Sequence, residues 1–166
     1  AGSIHGADPD YTITDRFVTP DAAKPFYAEK LCRLPETYQP NDSESRPLPR
    51  AARRRDWDLP ETGFVFASFN SAQKITGRTV DLWSRILAKA PEAVLWMLCE
   101  EPLARRNLLD AFAARGVAAS RILFTGHVDY ADHLARLSLA DLGLDTMPHN
   151  GHTTTSDMIW AGLPVL

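Results

Sequence analysis

The stretch Asp145-Thr-Met-Pro-His-Asn-Gly-His-Thr-Thr-Thr-Ser-Asp157 concentrates the residue types of an anion site near the end of the sequence. Pro148, Asn150 and Gly151 break the local periodicity and predict a tight loop, and a helix is expected to open at Thr153. The first amides of such a helix have no intrahelical acceptor and lie at the positive end of its dipole, so they are suited to phosphate. The hydroxyls of Thr153, Thr154, Thr155 and Ser156 add donors there. Capping explains part of the same pattern, because Thr154 followed three residues later by Asp157 resembles a capping box. Both readings stand on these residues alone.

Other chemistry-bearing residues follow apolar runs upstream. Asn70, Ser71 and Lys74 come after Phe64–Phe69, and the lysine is a point charge for phosphate. Gly126, His127 and Val128 follow Arg121–Phe124, with His133 and Arg136 at a spacing that shares one helix face. There His133 could stack on a base and Arg136 could bond its carbonyl edge. Taken singly, Lys74, His133 and Arg136 read as surface residues. Their convergence on one rim of a sheet points to a nucleotide or sugar phosphate rather than to a reaction. The glycine fingerprints of dinucleotide-binding and P-loop proteins are absent, as is the G-x-S-x-G nucleophile elbow. His127, His133, His149 and His152 lie on separate segments without an acidic partner at ligand spacing, so no metal site and no cofactor is expected.

The elements that must position these residues are regular from Gly63 onward. Strands are predicted over 64–69, 93–98, 121–124 and 139–144, with the start of a fifth at 163–166. Helices are predicted over 76–90, 102–115, 130–138 and 153–161, with Gly116 at a left-handed cap. Apolar strands alternating with helices imply an α/β fold: a Rossmann-like parallel sheet with helices on both faces and ligands at the carboxyl ends of the strands. Upstream, a short β-prone run at 11–13 precedes a small helix expected within 21–34. The stretch 36–60 then reads as a linker or long loop, rich in proline, whose cluster of Arg50, Arg53, Arg54 and Arg55 looks like a solvated charge run.

With 166 residues and 45% hydrophobic content, the chain is long enough for one compact core. Its 18 basic and 21 acidic side chains give a formal charge of -3, which offers no general attraction to nucleic acid or anionic membrane. Cys32 and Cys99 lack disulfide or metal spacing and suit a reducing, cytoplasmic setting. No apolar run has membrane-spanning length, and the start lacks the pattern of a signal peptide. The sequence begins without Met and ends on a strand-like Pro164-Val-Leu166, as a piece of something longer would.

Together, Phe69-Asn-x-x-x-Lys74-Ile, Val94-Leu-Trp-x-Leu98, Arg121-Ile-x-Phe124, His133-x-x-Arg136 and Leu139-Ala-Asp-x-x-Leu-Asp-Thr146 are a familiar combination. With Asn150-Gly-His-Thr-Thr154-x-x-Asp157-x-x-Trp160-Ala-Gly162-x-Pro164, they resemble the C-terminal catalytic lobe of the O-linked N-acetylglucosamine transferases, glycosyltransferase family 41. The resemblance runs from about Asp10 to the end. It implies a GT-B architecture, with residues 1–62 as a remnant of the first lobe plus small helix and connector, and 63–166 as an incomplete donor-binding lobe. The implied activity is inverting, metal-independent transfer of N-acetylglucosamine from UDP-GlcNAc to Ser or Thr hydroxyls of proteins. Another sugar donor, for O-fucosyl or N-glucosyl transfer, or an inactive nucleotide-binding module, is the alternative.

Residue by residue, the resemblance implies that Lys74 neutralises the donor diphosphate and the departing nucleotide. It also implies that His152, Thr153 and Thr154 hold the phosphates and that His133 stacks on uracil. Arg136 would bond the base, Val128 would read its edge, and Asp157 would reach the ribose. Two positions depart from the animal enzymes: a phosphate-contacting glutamine is Ser71 here, and a ribose-side lysine is Tyr130. The general-base histidines of the family lie upstream and His5 matches none of them, so this stretch alone is expected to be inactive. The whole protein would also carry an upstream lobe and tetratricopeptide repeats.

Overall fold

The computed structural model describes residues 9–166, so His5 and the beginning of the proposed first-lobe remnant lie outside the described residues. The chain forms two compact units that divide between Ser45 and Arg46. In the first unit, β1 (Tyr11–Thr14) and β2 (Lys30–Arg33) form a parallel pair with Tyr11 opposite Lys30. Of the span 21–34 in which a small helix is expected, only the first six residues are helical. A 3-10 turn occupies Asp21–Phe26, and the chain then extends into β2. Pro25 stands inside that turn, where it lacks the amide that a longer α-helix needs.

The second unit is built on a four-stranded parallel sheet. Its strands are β3 (Val65–Ser68), β4 (Val94–Leu98), β5 (Ile122–Thr125) and β6 (Leu142–Gly143), in the order β5-β4-β3-β6. Four helices accompany them: α1 (Gly77–Lys89), α2 (Pro102–Ala113), α3 (Tyr130–Leu137) and α4 (Thr153–Trp160). Strand alternation sends Phe66, Leu95 and Met97 into one core with Val80, Trp83 and Leu87 of α1 and Leu108 and Phe112 of α2. Val65, Ala67 and Trp96 point into the opposite core, with Leu134 and Leu137 of α3 and Met158 of α4. Helices therefore cover both faces, as the apolar strands imply.

Local chemistry sets the helix ends. The Thr76 hydroxyl accepts from the Thr79 amide at 3.2 Å to start α1. Pro102 opens α2, and Gly116 after it adopts φ 78°, a left-handed conformation that glycine takes without steric cost.

Two predicted strands are shorter than expected. The run from Leu139 gives only Leu142–Gly143 as strand, because Leu139 and Ala140 still bond back to Arg136 and Leu137 at the end of α3. Both a buried turn and a buried strand are apolar, so hydropathy does not separate them. The run at 163–166 is represented by a parallel bridge from Gly143 to Val165.

The stretch 46–62 belongs to the second compact unit as a long loop with one 3-10 turn, Arg54–Trp57; Arg50, Arg53 and Arg55 are exposed, as a solvated run would be, and Arg54 is not. Ala52, Trp57 and Leu59 pack into the α3–α4 core. Arg54 donates to the carbonyls of Leu139 (3.0 Å) and Gly63 (2.8 Å) and pairs with Asp141 at 2.8 Å. Interleaved apolar residues anchor this strap, and Arg46, Arg50 and Arg54 bond to groups on the lobe.

Candidate functional site

The strand order reverses at β3. The chain leaves it for β4 and β5 on one side and returns to β6 on the other. Loops following β3 and β6 therefore flank a topological switch point, where open α/β sheets bind ligands. Asn70, Ser71 and Lys74 come from the first loop, and Lys74 closes a short 3-10 turn over Ala72–Lys74. The Lys74 ammonium donates to the Asn150 carbonyl at 3.0 Å and lies 3.5 Å from Asn70 Oδ1. The point charge and the threonine loop are thus brought together, while Ser71 is exposed beside them.

Asp145 organises this loop, and sequence reasoning missed it. Its Oδ1 accepts from Asn70 Nδ2, the Thr146 amide and the Gly151 amide, each at 2.8 Å, and its Oδ2 accepts from Asn150 Nδ2 at 2.9 Å. Thr146 Oγ1 closes the turn by donating to the His149 carbonyl at 2.6 Å. The loop is tight at Gly151, where an added Cβ would lie 2.5 Å from Thr155 Oγ1 and 3.0 Å from Asn70 Oδ1. An acidic residue at a strand end before an Asn-Gly turn was the available signal.

The loop delivers α4 with His152 at its N-cap, and no side chain caps the helix. The capping-box reading of Thr154 and Asp157 is therefore overturned. Thr154 is already inside the helix, and the Asp157 carboxylate accepts from Tyr130 Oη at 2.9 Å and from Arg46. His152 and Thr153 are exposed and Thr154 is half-buried at the first turn, where amides and dipole favour an anion.

On the β5 side, His133 and Arg136 form one unit, in which Arg136 is buried rather than at the surface and His133 is half-buried. Arg136 is 1% exposed and donates to the Gly126 carbonyl at 2.7 Å and to Thr125 Oγ1 at 3.2 Å. Its Nε donates to His133 Nδ1 at 3.2 Å. The guanidinium lies between Phe69 and Trp57, 4.8 Å and 5.2 Å from their ring centroids. Burial pushes the Arg136 pKa down to about 10, still far above neutrality. Burial, and secondarily the Arg136 charge, pushes the His133 pKa down to about 4. His133 is therefore neutral at pH 7, with Nδ1 as acceptor and the proton on Nε2. Its ring meets Phe69 edge-on at 5.5 Å. In this arrangement Arg136 orients His133 from below, and His133 is the more accessible of the two.

Val128 is exposed on the loop between β5 and α3, and Tyr130 opens α3. Beside them Glu100 accepts from the His127 amide at 2.9 Å and pairs with its ring Nδ1 at 2.8 Å, and this histidine holds the Glu100 carboxyl below its usual range. Among the described residues no group of three or more His, Cys, Asp or Glu side chains is placed to hold a metal, and no helix is long and apolar enough to cross a membrane.

Residues 43–166 match the family model described as glycosyl transferase family 41. The chain belongs to that family. It is 38% identical over 162 residues, 95% of its length, to the Arabidopsis thaliana protein named "Probable UDP-N-acetylglucosamine--peptide N-acetylglucosaminyltransferase SEC". Identity is 36% over 113 residues, 68% of the chain, to the UDP-N-acetylglucosamine--peptide N-acetylglucosaminyltransferase of Caenorhabditis elegans. Among solved structures, a mutant of the Thermobaculum terrenum O-GlcNAc transferase aligns with a TM-score of 0.80 at 30% identity, over 95% of this chain and 29% of that one. The chain spans 17% of the Arabidopsis relative and 10% of the nematode one. Within family 41, the observed parallel sheet with helices on both faces corresponds to the second lobe that the resemblance implies.

Proposed function

We propose that this chain is the donor-binding lobe of an inverting, metal-independent glycosyltransferase that moves N-acetylglucosamine from UDP-GlcNAc to Ser or Thr hydroxyls of proteins. The observation that carries the reading is the meeting of Lys74 with the loop before α4 at the switch point, 3.0 Å from the Asn150 carbonyl. An ammonium bonded to the loop that leads into a helix N-terminus supplies, together with that N-terminus, the positive field that a departing diphosphate requires. Lys74 neutralises that charge, and His152, Thr153 and Thr154 hold phosphate oxygens, with Ser71 at the edge. The neutral His133 stacks on uracil, Arg136 serves the base end, Val128 reads the base through its backbone, and Asp157 and Tyr130 serve the ribose. The proposal includes a protein acceptor, a cytoplasmic setting, and an upstream lobe that carries the general base behind tetratricopeptide repeats.

The test is transfer by the full-length protein from UDP-GlcNAc to an acceptor peptide in excess chelator, with the product linkage read by NMR. The expected product is β-linked, forms without divalent metal, and is lost in Lys74→Met. An α-linked product, or a strict metal requirement, overturns the mechanism.

A further inference from the structure

Arg46 was singled out neither by motif nor by resemblance, yet all three of its guanidinium nitrogens bond side chains of α3 and α4. Its Nε donates to Tyr130 Oη at 3.0 Å, one terminal nitrogen donates to Ser156 Oγ at 3.1 Å, and the other pairs with Asp157 Oδ1. The guanidinium lies 5.1 Å from the Trp160 ring centroid, and the indole N–H of Trp160 donates to the Pro47 carbonyl at 2.8 Å. The side chains of Arg46 and Asp157 are each 8% exposed. Burial presses the Arg46 pKa down, but Asp157 and Tyr130 outweigh it and raise the net value. The same burial, with Asp157 next to it, raises Tyr130, which keeps its phenol as a donor.

This is more than a strap needs to stay in place. Arg50, the next arginine, pairs with Asp132 at an exposed site, where an ion pair contributes little. Arg46 instead neutralises a buried carboxylate, and it does so with a fork that bridges three side chains of α3 and α4. Arg46 and Tyr130 both donate to Oδ1, and together they fix the orientation of the carboxylate.

We infer that Arg46 is a positioning residue of the donor site, which holds the Asp157 carboxylate oriented to accept a hydrogen bond from a ribose hydroxyl of a nucleoside diphosphate. This rests on the donor-site reading above and extends it to a residue outside the loops at the strand ends.

The experiment is calorimetric titration of UDP, 2′-deoxy-UDP and 3′-deoxy-UDP into the full-length protein and its Arg46→Ala, Arg46→Lys and Arg50→Ala variants. The wild-type protein is expected to prefer UDP over at least one deoxy form by about tenfold, the worth of one hydrogen bond to a charged acceptor. Arg46→Ala should bind UDP about tenfold more weakly while that deoxy form changes little, so the preference collapses. Arg46→Lys restores part of the preference because it returns the charge without the fork, and Arg50→Ala leaves it intact. Equal weakening of all three ligands in Arg46→Ala reduces Arg46 to a strap anchor and overturns the inference. So does unchanged or tighter UDP binding, which would make Arg46 a competitor for Asp157. Equal affinity of the wild type for all three ligands overturns the ribose role while leaving the donor site standing. Failure of the wild type to bind UDP overturns the donor-site reading itself.

Discussion

Replacing Arg136 with methionine removes the guanidinium beneath His133 while leaving a long apolar side chain between Phe69 and Trp57. In the native lobe His133 has its pKa pushed down to about 4, with burial as the larger cause and the Arg136 charge as the second. Methionine removes the second cause and leaves the first. The titration point of His133 should therefore rise by about one pH unit and still lie below the ordinary histidine value. The substitution also removes a charged donor from the Gly126 carbonyl and Thr125 Oγ1, bonds of 2.7 and 3.2 Å in a partly buried setting. Orphaned acceptors of that kind cost roughly 1–3 kcal/mol each, and relief of the buried charge offsets part of it, for a net loss of about 2–3 kcal/mol. The ring protons of His133, followed by NMR from pH 3 to 8, and urea unfolding at pH 7 measure both quantities. A His133 pKa that stays at about 4 would show that Arg136 contributes nothing to the shift. A rise to the ordinary value or beyond would show that burial is not its main cause.

Stability should fall on acidification in a defined window. The folded-state pKa of His133 lies below its unfolded value, so between about 6.5 and 4 the unfolded chain binds the extra proton. The stabilisation is present in full above that window and is lost as pH falls through it, by about 1–2 kcal/mol once solvent screening of a half-buried ring is allowed for. His133→Gln should flatten the slope of stability against pH there, and an unchanged slope would refute the assignment. Gly151→Ala places a methyl 2.5 Å from Thr155 Oγ1, so a loss of about 1–3 kcal/mol with weaker UDP binding is expected in melting and titration experiments. Asp145→Asn turns one acceptor oxygen into a donor against Asn70, Asn150 and two amides. It should cost about 2–3 kcal/mol and loosen the loop to proteolysis before α4, whereas a wild-type melting curve would contradict the hub role.

Where apolar periodicity and a terminator coincide, the fold is legible in the residues. Val80, Trp83 and Leu87 mark one face of α1, Thr76 caps it, and Pro102 and Gly116 bracket α2 and its exit. The same logic points to the rim that carries Lys74, His133 and the threonine loop, because ligands gather at the ends of parallel strands. What stays hidden depends on partners far away in sequence. Arg46 and Asp157 are separated by 111 residues and Arg54 and Asp141 by 87, so these two pairings of the strap are not legible in its local sequence. Pro25 was the local warning that the helix expected within 21–34 would not persist. Leu139 and Leu144 are both buried, which is all that hydropathy reports, and only hydrogen bonding separates the end of α3 from β6. Burial hid the role of Arg136 as well, since a spacing of three from His133 fits a solvent-facing pair equally well.

The central claim is a diphosphate site built by Lys74 and the start of α4, and the most direct measurement is calorimetric titration of UDP into the full-length protein and its Lys74→Met variant in chelator. Saturable UDP binding that is weakened at least tenfold by the substitution is the predicted result, since a charge-assisted contact to phosphate is removed. Equal UDP affinity in the two folded proteins would contradict it.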